Sequence, residues 1–195
     1  MRTIREAARD IPVAAEVDVA VAGGGPAGIA AAVAAARTGA EVVLAERCGF
    51  LGGLATGGLV LYMDGLTDGG GRRVVGGIPW EVLENLRRRG GLAEPKPLAL
   101  HADSELLKVV AEDMCRAASV RLRLHSWAVG AVVEEGVVRG IITESKSGRQ
   151  AVQCRVCVDA TGDGDIAASA GADYAEGRQR IGLNIKVGGV DGERF

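Results

Sequence analysis

Aromatic side chains are nearly absent from this sequence: two Trp, two Tyr and two Phe make up 3% of its 195 residues. That excludes the row of flat side chains on which successive bases of a single strand would stack. An excess of one charge is missing too. The formal net charge is −2, with 23 Lys and Arg against 25 Asp and Glu, so the basic footprint of a nucleic-acid binder is not there. The longest basic run, Arg87-Arg88-Arg89, reads as a helix C-terminus, where the helix dipole favours cations. No apolar stretch is long enough to cross a membrane, because the run from Val17 is broken by Gly23, Gly24, Gly25 and Pro26 and then by Arg37. The N-terminus carries Arg, Glu and Asp where a secretory signal would have its apolar segment. We therefore expect a reducing, cytoplasmic setting.

Cysteine is sparse, at four residues: Cys48, Cys115, Cys154 and Cys157. The last two form a C-x-x-C, but they lie in "QAVQCRVCVDA", whose alternation reads as a strand. A separation of three on a strand sends the two thiols to opposite faces, which suits neither a disulfide nor a shared metal. No metal site is expected.

Glycine is what the sequence has in excess, at 30 residues. "VDVAVAG" reads as a strand buried on both faces. "PAGIAAAVAAARTG" reads as a helix, with Pro26 at its first position and Gly39 after its last turn. "AEVVLAE" is a second strand, completing a βαβ unit. Cys48 to Gly77 is glycine-rich and aperiodic, a long loop with short strands expected at "LVLYM" and "RRVV". "IPWEVLENLRRRGG" and "DSELLKVVAEDMCRAA" follow as helices, separated by a stretch with two prolines. "VRLRL" is the third strand of the sheet. A three-stranded antiparallel meander over about 126–155 comes next, and its last run, "CRVCVDA", returns to the main sheet. The expected fold is thus α/β: a Rossmann-like parallel sheet with flanking helices plus a three-stranded antiparallel β-meander.

Two strand-to-glycine-to-helix junctions result. In the first, Gly23-x-Gly25-x-x-Gly28 follows a strand and opens a helix. Gly23 permits the tight turn, Gly25 removes a Cβ that would meet a pyrophosphate, and Gly28 lets the helix approach the strands. The pyrophosphate would rest on the unpaired N–H groups of the helix start. Glu46 closes the second strand, where a carboxylate accepts from ribose hydroxyls and repels a 2′-phosphate. Arg47 beside it weighs the other way. The glycines alone leave FAD and NAD level.

"VAVAGGGPAGIAAAVAAARTGAEVVLAER", "GFLGGLATGGLV" and "VDATGDGDIAASAGADY" together resemble the FAD-dependent oxidoreductases of the glutathione-reductase-like two-dinucleotide fold, and within them the branch of fumarate reductase and succinate dehydrogenase flavoproteins. The resemblance implies a fold of the FAD/NAD(P)-binding domain type and FAD as cofactor. It also implies a pyrophosphate contact at Gly23, Gly25, Pro26, Ala27 and Gly28, an adenosine-ribose contact at Glu46, and Gly52, Gly53 and Thr56 along the ribityl and pyrophosphate side. Ala160, Thr161 and Gly162 would approach from the second junction, and backbone near Val129 would meet the adenine.

Residues 1–14, mixed and polar with Pro12 before the first apolar run, read as a flexible leader; the resemblance implies an FAD-binding domain over 15–177 and, over 178–195, the start of a substrate or cap domain that is cut short. The chain is then the N-terminal portion of a longer flavoprotein or a remnant of one. Two functions follow. One is an FAD-dependent oxidoreductase acting on a small-molecule substrate, with neither nucleic acid nor membrane as partner. The other is a non-catalytic dinucleotide-binding module, alone, as a homo-oligomer or with a partner subunit.

Asp163-Gly164-Asp165 shares a fragment of a calcium loop, but the other ligands and the closing glutamate are missing. Asp163 is expected to cap the following helix, with Asp165 in its first turn. His101, His125, Tyr62, Asp64, Arg178 and Arg180 are the polar candidates for chemistry beside the flavin, and none carries a catalytic assignment.

Overall fold

The β-branched run before the glycines forms β1 (Val13–Ala22) in the computed structural model, which describes residues 2–96, 99–177 and 182–189. Then come α1 (Pro26–Arg37), β2 (Val42–Ala45), β3 (Tyr62–Met63), α2 (Gly77–Arg88), β4 (Leu92–Lys96), β5 (Ala99–Ala102), α3 (Ser104–Ala117) and β6 (Arg121–Arg123). The meander strands β7 (Trp127–Glu134), β8 (Val137–Ser145) and β9 (Gly148–Asp159) follow, and α4 (Asp165–Ser169) closes the series. The six-stranded sheet has the order β6-β2-β1-β9-β8-β7. Its first three pairings are parallel, and the two meander pairings are antiparallel.

Helices α1 and α3 on one face and the meander with α4 on the other explain why the central strands are apolar throughout. Val42, Val43, Leu44 and Ala45 are each at most 1% exposed. Val42 and Leu44 pack with Val33 of α1 and Val110 of α3, while Val43 and Ala45 pack with Ala128 of β7, Ile141 of β8 and Ile166 of α4. The last meander strand does join the main sheet: β9 pairs with β8 through Gln153 and with β1 as far as Asp159. The arginine run ends α2 on the surface, where Arg87 pairs with Glu84, Arg88 with Asn85 and Arg89 with Asp113.

Three features depart from the sequence reading. The two-proline stretch holds the hairpin β4–β5, which joins β3 in a second antiparallel sheet. β4 is an edge strand with a register irregularity between Ala93 and Lys96, the setting in which a sheet tolerates proline. In the long loop, "LVLYM" supplies only Tyr62–Met63, and "RRVV" only a bridge from Arg73 to Thr67. The cysteines of the C-x-x-C do not lie on opposite faces. Both pack on the second core cluster. The cause is a slip in the alternation of both strands. Arg155 and Val156 are consecutive and exposed, and opposite them the Asp18 and Val19 N–H groups both donate to the Glu41 carbonyl. The neighbouring Cys157 thiol lowers the Cys154 pKa against the opposing effect of burial, while Cys154 and burial together push the Cys157 thiol up.

Candidate functional site

Three loops meet at the C-terminal ends of β2, β1 and β9, where the strand order turns back beside β1. That edge is where open α/β sheets bind ligands. In the first loop, Gly23 has φ +99°, the left-handed region that favours glycine. A Cβ there would overlap the Ala160 carbonyl. A Cβ at Gly28 would overlap the Gly23 carbonyl and reach within 3.3 Å of the Ala160 Cβ. Gly25 differs, since its nearest neighbour would be the Gly53 Cα at 4.0 Å. Gly25 is also the N-cap of α1, with no side-chain cap and no acidic residue in the first turn. The helix start therefore keeps unpaired N–H groups and a positive dipole end facing open space.

The middle glycine, Gly24, was not singled out from the sequence. Both of its backbone polar groups tie the loops together. Its N–H donates to Glu46 Oε2 (2.7 Å) and its carbonyl accepts from the Gly52 N–H (2.8 Å). A Cβ on it would lie 2.5 Å from Leu51 Cδ2. The usable signal was three consecutive glycines where the fingerprint needs only two.

Glu46 is 8% exposed. Its second oxygen accepts from the Cys48 N–H (2.7 Å), so the carboxylate ties the first loop to the second. Glu46→Ala leaves two N–H groups without their acceptor and is expected to destabilise the apo chain by about 1.5–3 kcal/mol for each bond lost. A lowered urea midpoint reads this out, and an unchanged midpoint contradicts it. Arg47 is exposed. Burial first, and the Glu46 charge second, push the neighbouring Cys48 thiol up.

The second loop is fixed from below. Thr56 is 2% exposed, and its hydroxyl donates to the Leu51 carbonyl (2.9 Å). Phe50 lies under the Lys108 ammonium of α3 at 4.2 Å. The His125 ring covers Gly49. The turn so held presents Gly53 (φ +54°), where a Cβ would lie 2.9 Å from the Gly25 Cα. Gly25 and Gly53 thus face each other with no side chain between them.

At the second junction the helix is capped, though not by Asp163. Asp159, the last residue of β9, turns back instead. Its Oδ2 accepts from the Ile166 and Ala167 N–H groups (3.0 and 2.9 Å), and its Oδ1 from the Thr161 N–H and hydroxyl (3.1 and 2.7 Å). The Thr161 oxygen accepts in turn from the Asp165 N–H (3.0 Å). Asp163 sits in the exposed loop before the N-cap, Gly164, and Asp165 is in the first turn.

Burial raises the Asp159 pKa, but the hydrogen bonds from Ala167, Thr161 and Ile166 outweigh it, and the net shift is downward. A carboxylate lowered in the folded state contributes stability that is fully present above its unfolded value, near pH 4, and lost as pH falls through the lower folded value. Asp159→Asn is expected to lower the urea midpoint at pH 7 and to flatten the midpoint's decline below pH 4. An identical acid limb in the variant contradicts this.

Of the remaining residues expected at the site, Pro26 and Ala27 are exposed at the start of α1, and Gly162 (φ +95°) is exposed beside Thr161. Val129 lies where β7 steps from Ala128↔Thr143 to Gly130↔Ile142, a bulge that takes it out of the ladder. β7 begins next to Ser126, whose N–H donates to the Glu46 carbonyl (2.9 Å). Other candidates stand apart: Tyr62 and His101 pack together in the small sheet with ring centroids 5.1 Å apart, and Asp64 accepts from the Gly65 N–H. Arg178 and Arg180 lie outside the described residues. Among the described residues there is no group of three or more His, Cys, Asp or Glu able to hold a metal, and no helix long and apolar enough to cross a membrane.

A family profile described as FAD dependent oxidoreductase matches residues 18–191. Among curated proteins, the chain is similar to the tRNA uridine 5-carboxymethylaminomethyl modification enzyme MnmG of Geobacter sulfurreducens. The two are 32% identical over 140 residues, covering 66% of this chain and 22% of that protein. Among solved structures, its fold is shared with THI4 of Thermovibrio ammonificans (TM-score 0.58, 21% identity, 79% of this chain and 61% of that one). Glycine oxidase from Geobacillus kaustophilus is similar as well (TM-score 0.56, 14% identity, 80% and 59%). The chain thus spans less than two thirds of each of these relatives.

Proposed function

This chain belongs to the FAD-dependent oxidoreductase family, and from that premise we propose that it holds FAD across the three loops and serves flavin-mediated hydride or electron transfer on a small-molecule substrate. The observation that carries the reading is the bare backbone where Gly25 and Gly53 meet, at the start of a helix with no cap of its own. A Cβ at Gly53 would press on the Gly25 Cα, whereas a Cβ at Gly25 would project into space where only the Gly53 Cα lies within 4 Å. When bound, FAD supplies the redox chemistry through its isoalloxazine, and the protein supplies position and tuning.

The roles of the residues follow from their surroundings. Gly23, Gly25, Pro26, Ala27 and Gly28 bring the start of α1 against the pyrophosphate, whose charge the unpaired N–H groups and helix dipole offset. Each Glu46 oxygen accepts one backbone N–H and retains acceptor capacity for an adenosine-ribose hydroxyl. The same carboxylate repels a 2′-phosphate, while exposed Arg47 is free to meet solvent-side oxygens. Gly52 and Gly53 form the facing wall, and Thr56 holds that wall in shape. Ala160, Thr161 and Gly162 close the far side. The Val129 bulge offers backbone groups for the adenine.

The four free thiols support a reducing, cytoplasmic compartment. The charge of −2 supports a small-molecule partner over a nucleic acid.

Anaerobic titration of the FAD-loaded chain with NADH, NADPH and a panel of small amine, alcohol and acid donors tests the reading. Loss of the flavin's visible absorbance with one of them supports an oxidoreductase. Bound flavin that no donor reduces favours a binding module.

A further inference from the structure

We infer that Asp159 is a positioning residue of the cofactor site, shaping the Ala160–Gly162 wall without touching the cofactor; the inference rests on the FAD reading above. The two junctions look alike in sequence and differ in one respect. α1 opens on Gly25 with no side-chain cap, so its first-turn N–H groups remain available. At α4 the Ile166 and Ala167 N–H groups are already occupied by the Asp159 carboxylate. The chain therefore presents one helix start to an external anion and fills the other with its own.

What the second junction offers instead is shape. Asp159 stands opposite Ala22 in the β1–β9 ladder, and the Ala160 N–H donates to the Ala22 carbonyl (2.9 Å). Ala160 is in turn the surface on which the fingerprint turn rests, since a Cβ at Gly23 would strike its carbonyl and one at Gly28 would come within 3.3 Å of its Cβ. The loop beyond it contains Gly162 and Gly164, both with positive φ, so the chain there is weakly restrained by its own sterics. The four bonds to Asp159 supply the restraint: two fasten the loop's start through Thr161, and two fasten its end through the first turn of α4. Without the carboxylate, Ala160 keeps its ladder bond but loses the clamp on the residues after it.

A purely structural cap would behave differently, and the molecule contains one for comparison. Asp103 accepts from the Glu105 and Leu106 N–H groups at the start of α3. FAD affinity is measured on the full chain by titration of flavin fluorescence, with circular dichroism showing that each variant is folded. Asp159→Asn is expected to bind FAD at least tenfold more weakly than wild type, a change of about 1.4 kcal/mol. Asp103→Ala, which loses its cap, is expected to bind within about twofold of wild type, a change small beside that tenfold loss. Thr161→Val is expected to weaken FAD and Thr161→Ser to restore it, because the hydroxyl joins Asp159 to Asp165. Equal affinity in Asp159→Asn and wild type overturns the inference, as does equal weakening by Asp159→Asn and Asp103→Ala. If Asp159→Asn does not fold, the Thr161 pair decides, and wild-type affinity in Thr161→Val overturns it. A wild-type chain that takes up no FAD overturns the cofactor reading and this inference with it, whereas uptake by wild type and an equally tight Asp159→Asn overturns this inference alone.

Discussion

Gly25→Val is expected to fold like wild type and to lose FAD binding by a hundredfold or more, about 2.8 kcal/mol at 1.4 kcal/mol per tenfold. Two observations separate these effects. The Gly25 backbone has φ −71° and ψ −178°, an extended conformation that a β-branched residue adopts without strain. The first atom of the new side chain would find only the Gly53 Cα, at 4.0 Å. The apo protein therefore has room for it. The valine methyls would then occupy the open space in front of Gly25, at the uncapped start of α1, the space assigned to the pyrophosphate. Urea unfolding of the apo chain and flavin-fluorescence titration measure the two effects independently. Wild-type FAD affinity in this variant would place the pyrophosphate elsewhere.

Gly28→Ala is expected to do the opposite damage, a loss of stability larger than about 3 kcal/mol. On propensity alone the change should stabilise, because alanine is favoured over glycine within a helix by about 1 kcal/mol. Here the added methyl overlaps the Gly23 carbonyl and crowds the Ala160 Cβ at 3.3 Å. Both neighbours belong to backbone fixed by the sheet, since the Gly23 N–H donates to the Ala45 carbonyl (2.8 Å) and the Ala160 N–H to Ala22. Nothing nearby can yield without breaking a ladder. Thermal unfolding followed by circular dichroism reads this out, and an unchanged or raised midpoint contradicts the packing described here. The fingerprint's glycines thus divide into those the fold requires, Gly23 and Gly28, and one it merely permits, Gly25.

How much of this was legible in the sequence depends on the range of the interaction involved. The first βαβ unit, the meander and the return of β9 to the main sheet were all readable, because each is set by local periodicity and by glycine or proline at its ends. The β4–β5 hairpin was not. Proline argues against a strand unless the strand is known to be an edge, and only tertiary structure supplies that knowledge. The facing of Cys154 and Cys157 also escaped, since strict alternation was assumed, whereas β1 and β9 slip together where both Asp18 and Val19 bond to Glu41.

At the site, the glycine positions and Glu46 stood out in the sequence, but what Glu46 binds did not. Its link to Gly24 spans the entire α1 crossover, and its link to Cys48 needs the sharp bend after β2. "VDATGDGD" holds three aspartates, and local capping rules favoured Asp163. Asp159 prevails because β9 ends with its side chain beneath the start of α4, a matter of strand register that no local pattern encodes.

FAD uptake by the purified chain tests the central claim most directly. After incubation with excess FAD and gel filtration, the wild-type chain should emerge yellow, with stoichiometric flavin, and Gly25→Val should emerge colourless but folded. A wild-type chain that emerges colourless, and instead retains NAD, would contradict the account.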